Sequence, residues 1–219
     1  DVVCQFEGDR QTALRFVRAL KNRFGPTDEV GCFEMTGDGI AEVADPSILF
    51  RSGSSTPVSG TCVAIAMEGR RALPVEVQAL IVASNAPQPR RVVNGVDSSR
   101  VAMLLAVLER RCGMPLSGFD VYVSTVGGIR LTEPAADLAI ALAVASARRE
   151  KALDAHLAAI GEISLAGEIR AVSGASQRAA EASRLGYTSV VDASALHLRE
   201  AVRLAFASAH DDALDVPEF

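Results

Sequence analysis

Hydrophobic positions recur along much of the chain at helical intervals, and two long segments show this most clearly. Residues 98–112 repeat apolar side chains every three or four positions, with Asp97 or Ser98 as the candidate N-cap and Gly113 as the candidate stop. Residues 134–149 begin with proline and are apolar on all sides, which predicts a helix at the centre of the core. Two shorter helices are expected at residues 175–185 and 196–206.

Other apolar runs have the length and spacing of strands. They are bounded by turn-forming residues and lie at positions 61–68, 75–84, 119–125, 158–164, 168–172 and 188–191. The two runs on either side of residues 165–167 read as a hairpin. Strands and helices mix without strict alternation, which favours a two-layer α+β domain over a doubly wound sheet.

The first part of the chain predicts a smaller set of elements. An alternating run over residues 1–7 indicates a strand. Asp9 can cap a helix in which Leu14, Val17 and Leu20 share one face. Two short strands are predicted beyond it, over residues 30–35 and 39–43. Residues 51–60 are small, polar and contain Gly and Pro, so we place a linker and a domain boundary there.

Charge is distributed unevenly along the chain. The net charge is −5, yet residues 61–210 carry 16 Lys+Arg against 14 Asp+Glu, and nearly all of this positive charge is arginine. Residues 208–219 form an acidic tail with four Asp+Glu and no Lys or Arg. Guanidinium groups suit bidentate contacts to phosphate, although most charged surfaces are merely solvated.

Several kinds of site are disfavoured. The four cysteines are widely spaced without a C-x-x-C pair and the three histidines are scattered, so we expect no metal or cofactor in this chain. No apolar run is long enough to span a membrane, and we expect a cytoplasmic protein. A phosphate-binding Walker A loop is not found, so we expect this chain alone neither to bind nor to hydrolyse ATP.

One motif near the start resembles a known family. The pentapeptide Lys21-Asn-Arg-Phe-Gly25, with the segments at residues 31–35 and 45–50, is similar to the KNRFG region of the bacterial RadA (Sms) DNA repair family. The resemblance implies that residues 1–50 are the last helix and strands of a RecA-like ATPase core. It also implies that Lys21 and Arg23 act as fingers toward ATP bound by a neighbouring subunit.

A second resemblance covers residues 61–207, which are similar to the Lon protease domain, a two-layer α/β fold of the ribosomal-protein type. It is carried by Glu-Pro-Ala-Ala-Asp-Leu at 133–138 and by Gly-Glu-Ile-Ser-Leu-Ala-Gly-Glu at 161–168. Residue by residue, Ala135 stands at the position of the serine nucleophile and Arg178 at that of the catalytic lysine. Alanine cannot attack a carbonyl and arginine does not release a proton near neutral pH, so we expect no peptidase activity.

The family resemblance also implies a function. The intact protein would be a hexameric DNA-dependent ATPase that uses ATP and magnesium, carries a zinc module, and promotes branch migration during strand exchange by the RecA recombinase. Its DNA would be single-stranded or branched, and this chain would be its scaffold and DNA-binding portion, with no role at a membrane. The candidate DNA-binding residues are Arg90, Arg91, Arg100, Arg130 and Arg178.

Two other functions stay open. An active Lon-like peptidase would need a Ser-Lys dyad assembled from elsewhere, and the chain has only two lysines, Lys21 and Lys151. A Lon-like module of a chelatase-like ATPase is disfavoured by domain order, since there the Lon-like part would precede the ATPase.

Overall fold

A computed structural model describes residues 1–7, 14–25, 27, 30–43, 57–68 and 71–208. The first of these ranges form a four-stranded antiparallel meander whose strands lie in chain order. Its strands are β1 Val2–Glu7, β2 Leu14–Asn22, β3 Val30–Thr36 and β4 Gly39–Glu42. The predicted strand over residues 1–7 and the strand pair at 30–35 and 39–43 are therefore confirmed.

The helix predicted after Asp9 is wrong, because β2 occupies its described part. The helical reading rested on Leu14, Val17 and Leu20, and three positions are too few to exclude a strand. Tertiary pairing decides between them: Val17 lies opposite residues of both β1 and β3, so its neighbours supply the backbone hydrogen bonds. Within the described residues the region before residue 50 contains strands and no helix, while Asp9 itself lies outside them.

A six-stranded mixed sheet forms the centre of the remaining chain, in the order β12-β9-β5-β6-β8-β7. Its strands are β5 Thr61–Glu68, β6 Arg71–Ala83, β7 Arg91–Asn94, β8 Phe119–Thr125, β9 Leu157–Ala159 and β12 Ser189–Val191. β5, β6 and β8 pair antiparallel, whereas β9 and β12 run parallel to β5, and β7 runs parallel to β8. The strand β7 was not predicted, and β6 begins earlier than expected.

The four helices lie close to their predicted positions. They are α1 Ser98–Cys112, α2 Asp137–Arg149, α3 Ala175–Arg184 and α4 Leu198–Ser208. The signals at both ends of α1 are confirmed: the Asp97 carboxylate accepts the Arg100 amide at 2.7 Å, and Gly113 ends the helix in a left-handed conformation. None of the helices in the described residues is long and apolar enough to cross a membrane.

Helix α2 is the central element of the core. Its residues 137–146 are all buried, and it packs on β5 and β6. Successive side chains of β5 point to opposite faces, and Cys62 and Ala64 belong to the same apolar cluster as α2. Val63 and Ile65 pack instead with Ala182 of α3, so α3 adds a further layer on the second face at this end of the sheet. The predicted two-layer arrangement is therefore incomplete, because the small side chains of α3 allow it to pack closely there.

The two ends of the predicted linker differ. Residues 51–56 lie outside the described residues, but Gly60 is packed against the core. Its amide donates to the Ser146 hydroxyl of α2 at 2.8 Å, and its φ is +90°. A Cβ at this position would meet the Ala79 carbonyl oxygen of β6 at 2.2 Å, so only glycine fits without displacement. Gly60 is thus a fixed attachment to the sheet and α2.

Candidate functional site

The turn that leads into α2 carries the predicted nucleophile position. Pro134–Ala136 is a 3-10 helix, and Ala135 is buried within it. The Ala135 carbonyl accepts the Gly161 amide at 3.0 Å, and the Gly161 carbonyl accepts the Leu138 amide at 3.1 Å. These bonds attach the turn to the segment before β10 Glu162–Ile163, which forms the confirmed hairpin with β11 Ile169–Arg170. A methyl group therefore stands, fully enclosed, where a hydroxyl would be required.

The predicted lysine position holds a buried ion pair. Arg178, on α3, has a relative exposure of 1% and is the largest fully buried side chain. Its Nη1 and Nη2 atoms donate to the two carboxylate oxygens of Glu133 at 2.7 and 2.5 Å. Nη1 also donates to the Ile65 carbonyl at 2.5 Å, and Nε donates to the Ser173 carbonyl at 3.1 Å. Every nitrogen of this guanidinium is thus engaged.

Glu133 completes this cluster from the other side. Its Oε1 atom also accepts the Met67 amide of β5 at 2.8 Å, so one carboxylate connects the turn before α2, the helix α3 and the central sheet. The partners of Glu133 are thus Arg178 and Met67. Because all these groups are satisfied by one another, the cluster has no proton acceptor to offer a substrate.

A second buried network lies at the start of α2. The Asp137 carboxylate accepts Arg100 Nε at 2.7 Å, a second bond from Arg100 Nη2, and the Ile163 amide at 3.0 Å. Burial raises the pKa of Asp137 above its ordinary value, and Arg100 and the Ile163 amide offset this only in part. Asp137 lies in the first turn of α2, and its carboxylate holds α1 and the hairpin against α2. Its partner Arg100 is thereby committed within the fold.

The predicted DNA-binding arginines are not brought together. Arg178 is buried and cannot reach a DNA phosphate, so this prediction is wrong for Arg178. Arg90, Arg91 and Arg130 are exposed. Arg91 lies at the start of β7 and donates to the Leu116 carbonyl at 3.1 Å, whereas Arg130 follows the far end of β8. Leu131, next to Arg130, bridges to Val96, so the length of β7 separates Arg130 from Arg91.

Lys21 and Arg23 lie at the surface. Lys21 lies near the end of β2 and pairs with Val3 of β1. Arg23 follows in a bend, where its amide donates to the Asp1 carbonyl at 3.3 Å. Both side chains are exposed, and the neighbouring Phe24 has a relative exposure of 83%. The motif therefore sits at a strand end, not at a helix end, with its cations directed into solvent.

Other side chains do not replace the missing dyad. Ser173 and Ser176 are exposed. Lys151 follows the last residue of α2, with its ammonium 5.9 Å from the centre of the Phe206 ring. It is therefore at the opposite end of a thirteen-residue helix from Ala135, about 20 Å away at 1.5 Å per residue. In the described part of the chain, no group of three or more His, Cys, Asp or Glu side chains could hold a metal ion.

Comparison with known proteins places this chain in a family. It is 52% identical over 191 residues to the DNA repair protein RadA of Mycolicibacterium smegmatis, which is 87% of this chain and 41% of that protein. It is 50% identical over 188 residues to RadA of Mycobacterium tuberculosis H37Rv and 48% over 191 residues to RadA of Halalkalibacterium halodurans. The chain belongs to the RadA family.

The match to RadA proteins confirms the resemblance found in the sequence. The chain spans about two fifths of the length of these relatives. Residues 118–195, from the start of β8 to the turn after β12, also match the family model described as subunit ChlI of Mg-chelatase. That match covers the turn with Ala135 and the buried pair of Glu133 and Arg178.

One group of side chains was missed by the sequence analysis. Arg149 at the end of α2 and Arg199 and Arg203 on α4 line a single surface groove. The available signal was the spacing of Arg199 and Arg203, which lie four apart and hence on one helical face. Such a pair is common on solvated helices, so spacing alone did not identify it.

Proposed function

We propose that this chain is the C-terminal scaffold and DNA-binding portion of a DNA repair ATPase, built on a Lon-like domain that does not cleave peptides. The single observation that carries this proposal is the enclosed cluster formed by Arg178, Glu133 and the turn holding Ala135. A domain whose nucleophile position is a methyl group and whose base position is a saturated ion pair has only shape and surface charge to offer.

DNA repair is supported by the relatives, which are all DNA repair proteins by name. Exposed arginines favour DNA phosphates as the ligand, and Arg90, Arg91 and Arg130 remain candidates. Phosphate contacts would give binding that is independent of sequence and falls steeply with salt. The intact protein would be a cytoplasmic hexamer that acts with the RecA recombinase on single-stranded and branched DNA.

In this proposal the four-stranded sheet contributes to ATP hydrolysis by the intact protein. Lys21 and Arg23 are exposed at the end of β2, where two cations could reach the phosphates of a nucleotide bound by a neighbouring subunit. The nucleotide, its magnesium ion and the zinc module would be held by parts of the intact protein outside this chain. Without them we expect this chain to show no ATP hydrolysis.

The test measures chemistry and binding on the same sample. The full chain is incubated with a fluorophosphonate probe and with unfolded casein, and its affinity for a labelled oligonucleotide is measured across a salt series. We expect no covalent adduct, no cleavage, and binding that weakens as salt rises. Stoichiometric labelling of a serine, or peptide cleavage above that of a heat-denatured control, would establish the alternative Ser-Lys peptidase. Ala135→Ser is the matched variant, and we expect it to stay unlabelled because no base faces position 135.

A further inference from the structure

The surface groove beside α4 is a feature that the proposed function does not yet use. We call it the α4 groove; it encloses about 680 Å³. Its lining combines three arginines with one histidine, one carboxylate and one aromatic ring: Arg149, His197, Arg199, Glu200, Arg203 and Phe206. It contains none of the arginines predicted to bind DNA from sequence.

Two of the arginines are held in place by the fold. The Nε and Nη2 atoms of Arg199 donate to the Arg111 carbonyl at 3.1 and 2.8 Å, which anchors this guanidinium at the end of α1. The Arg149 guanidinium lies over the Phe206 ring, 4.6 Å from its centre. Arg203 is exposed and lies one turn beyond Arg199 on α4. The groove therefore presents cations of defined position.

The charges in the α4 groove converge. Burial raises the pKa of the Cys112 thiol, and the guanidinium groups of Arg199 and Arg149 act in the opposite direction. Arg149 on α2 and Arg199 on α4 line the same groove, although they belong to different helices. Such an approach of like charges costs free energy unless an anion lies between them.

The α4 groove also lacks the partners that neutralise arginines elsewhere. On the exposed surface Arg184 pairs with Glu181 at 2.7 Å and Arg170 with Glu168 at 4.0 Å. Within the described ranges, no carboxylate lies within 4.0 Å of the Arg149, Arg199 or Arg203 guanidinium. Helix-end capping accounts for Arg199 but not for Arg149 and Arg203, which donate to no carbonyl among the described residues.

We infer that the α4 groove binds the phosphodiester backbone of DNA. This inference rests on the proposed function and gives it a location. The contact would read phosphate alone, because Phe206 is buried beneath Arg149 and offers no face for a base to stack on. The groove therefore takes any base sequence, and it lies on residues other than Arg90, Arg91 and Arg130.

The test compares two double variants that remove equal charge. Arg149→Gln with Arg203→Gln removes two cations from the groove, and Arg170→Gln with Arg184→Gln removes two exposed cations outside it. Binding of the full chain to a fluorescein-labelled 20-nucleotide strand of random sequence, and to its duplex, is followed by anisotropy across a salt series. We expect the groove variant to weaken binding about tenfold or more at low salt and to reduce the salt slope by about one to two. The control should change affinity less than about threefold.

The outcomes separate the two levels of the proposal. If the wild-type chain shows no salt-dependent binding to either DNA, the proposed function fails. If it binds and the two double variants behave alike, the groove assignment fails while the function stands. Arg203→Lys keeps the charge and should retain affinity within about threefold, whereas Arg203→Gln alone should reduce the slope by about one. Because the Arg203 side chain is exposed, this single change tests the groove even where the double variant folds poorly.

Discussion

At the scale of single residues, three side chains define the candidate site: Ala135, Arg178 and Glu133. Arg178, whose relative exposure is 1%, forms a bidentate ion pair with Glu133. Ala135 lies two positions beyond Glu133. A buried cation is stable only with its partner, since removing one member leaves the other charged and desolvated. The pair therefore fixes α3 against the sheet at the position where a catalytic base would need freedom to exchange a proton.

The buried pair makes the fold sensitive to the loss of Arg178. Arg178→Ala should lower the free energy of unfolding by about 3–5 kcal/mol, because it leaves the Glu133 carboxylate without its partner. Urea unfolding followed by circular dichroism measures this value. Arg184→Ala is the matched control on the same helix, since it breaks an exposed pair with Glu181 and should cost about 1 kcal/mol or less. Equal losses in the two variants would show that the buried cluster does not stabilise the fold.

Residue-scale sequence reasoning identified what Ala135 and Arg178 cannot do but not where Arg178 lies. The loss of a nucleophile and of a titratable base is a property of residue type, so the sequence is sufficient for it. Burial of Arg178 depends on Glu133, which is 45 positions away and joins it only after the sheet and α3 have packed. No local pattern reports such a pair, which is why Arg178 was placed among the DNA-binding residues.

At the scale of elements, agreement follows the strength of local end signals. Helix α1 has an N-cap, an apolar stripe and a left-handed glycine stop, and its first and last residues were both predicted correctly. Strand β2 was predicted as a helix from three apolar positions, which are too few to exclude a strand, and its neighbours β1 and β3 select the strand. Strand β7 was missed because its four residues are mostly exposed and are ordered by pairing with β8.

An element-scale prediction concerns Gly60, where the predicted linker meets the sheet. Gly60→Ala should lower the free energy of unfolding by about 1–3 kcal/mol, because its φ of +90° strains any other residue and the Cβ would meet the Ala79 carbonyl. The control is Gly37→Ala on the turn between β3 and β4, where a Cβ would have no neighbour within 4 Å. If thermal unfolding showed equal small losses in both variants, residue 60 would be an ordinary flexible linker position.

At the scale of the whole molecule, the proposed binding of DNA depends on how charge is distributed over the chain. The net charge of −5 opposes DNA at long range, while the α4 groove attracts it at short range. The net charge taken from composition is therefore negative, whereas the α4 groove is lined by three arginines. The arginines that form the groove come from α2 and α4, which are about fifty residues apart in the chain, and only the packing of these helices brings them together.

The acidic tail allows this balance to be tested by a change of charge alone. Residues 211–219 carry four of the carboxylates, so changing them to Asn and Gln moves the net charge from −5 to −1. We expect this neutral tail to raise DNA affinity by about three- to tenfold at low salt, because repulsion between the chain and the phosphates falls. The gain should disappear near 0.3 M salt, where the Debye length is about 6 Å and the tail charges are screened. The same change made together with Arg149→Gln and Arg203→Gln should still raise affinity, since long-range repulsion and local contact act independently. An unchanged affinity at low salt would mean that DNA binding responds to the groove alone and that the overall charge of the chain has no part in it.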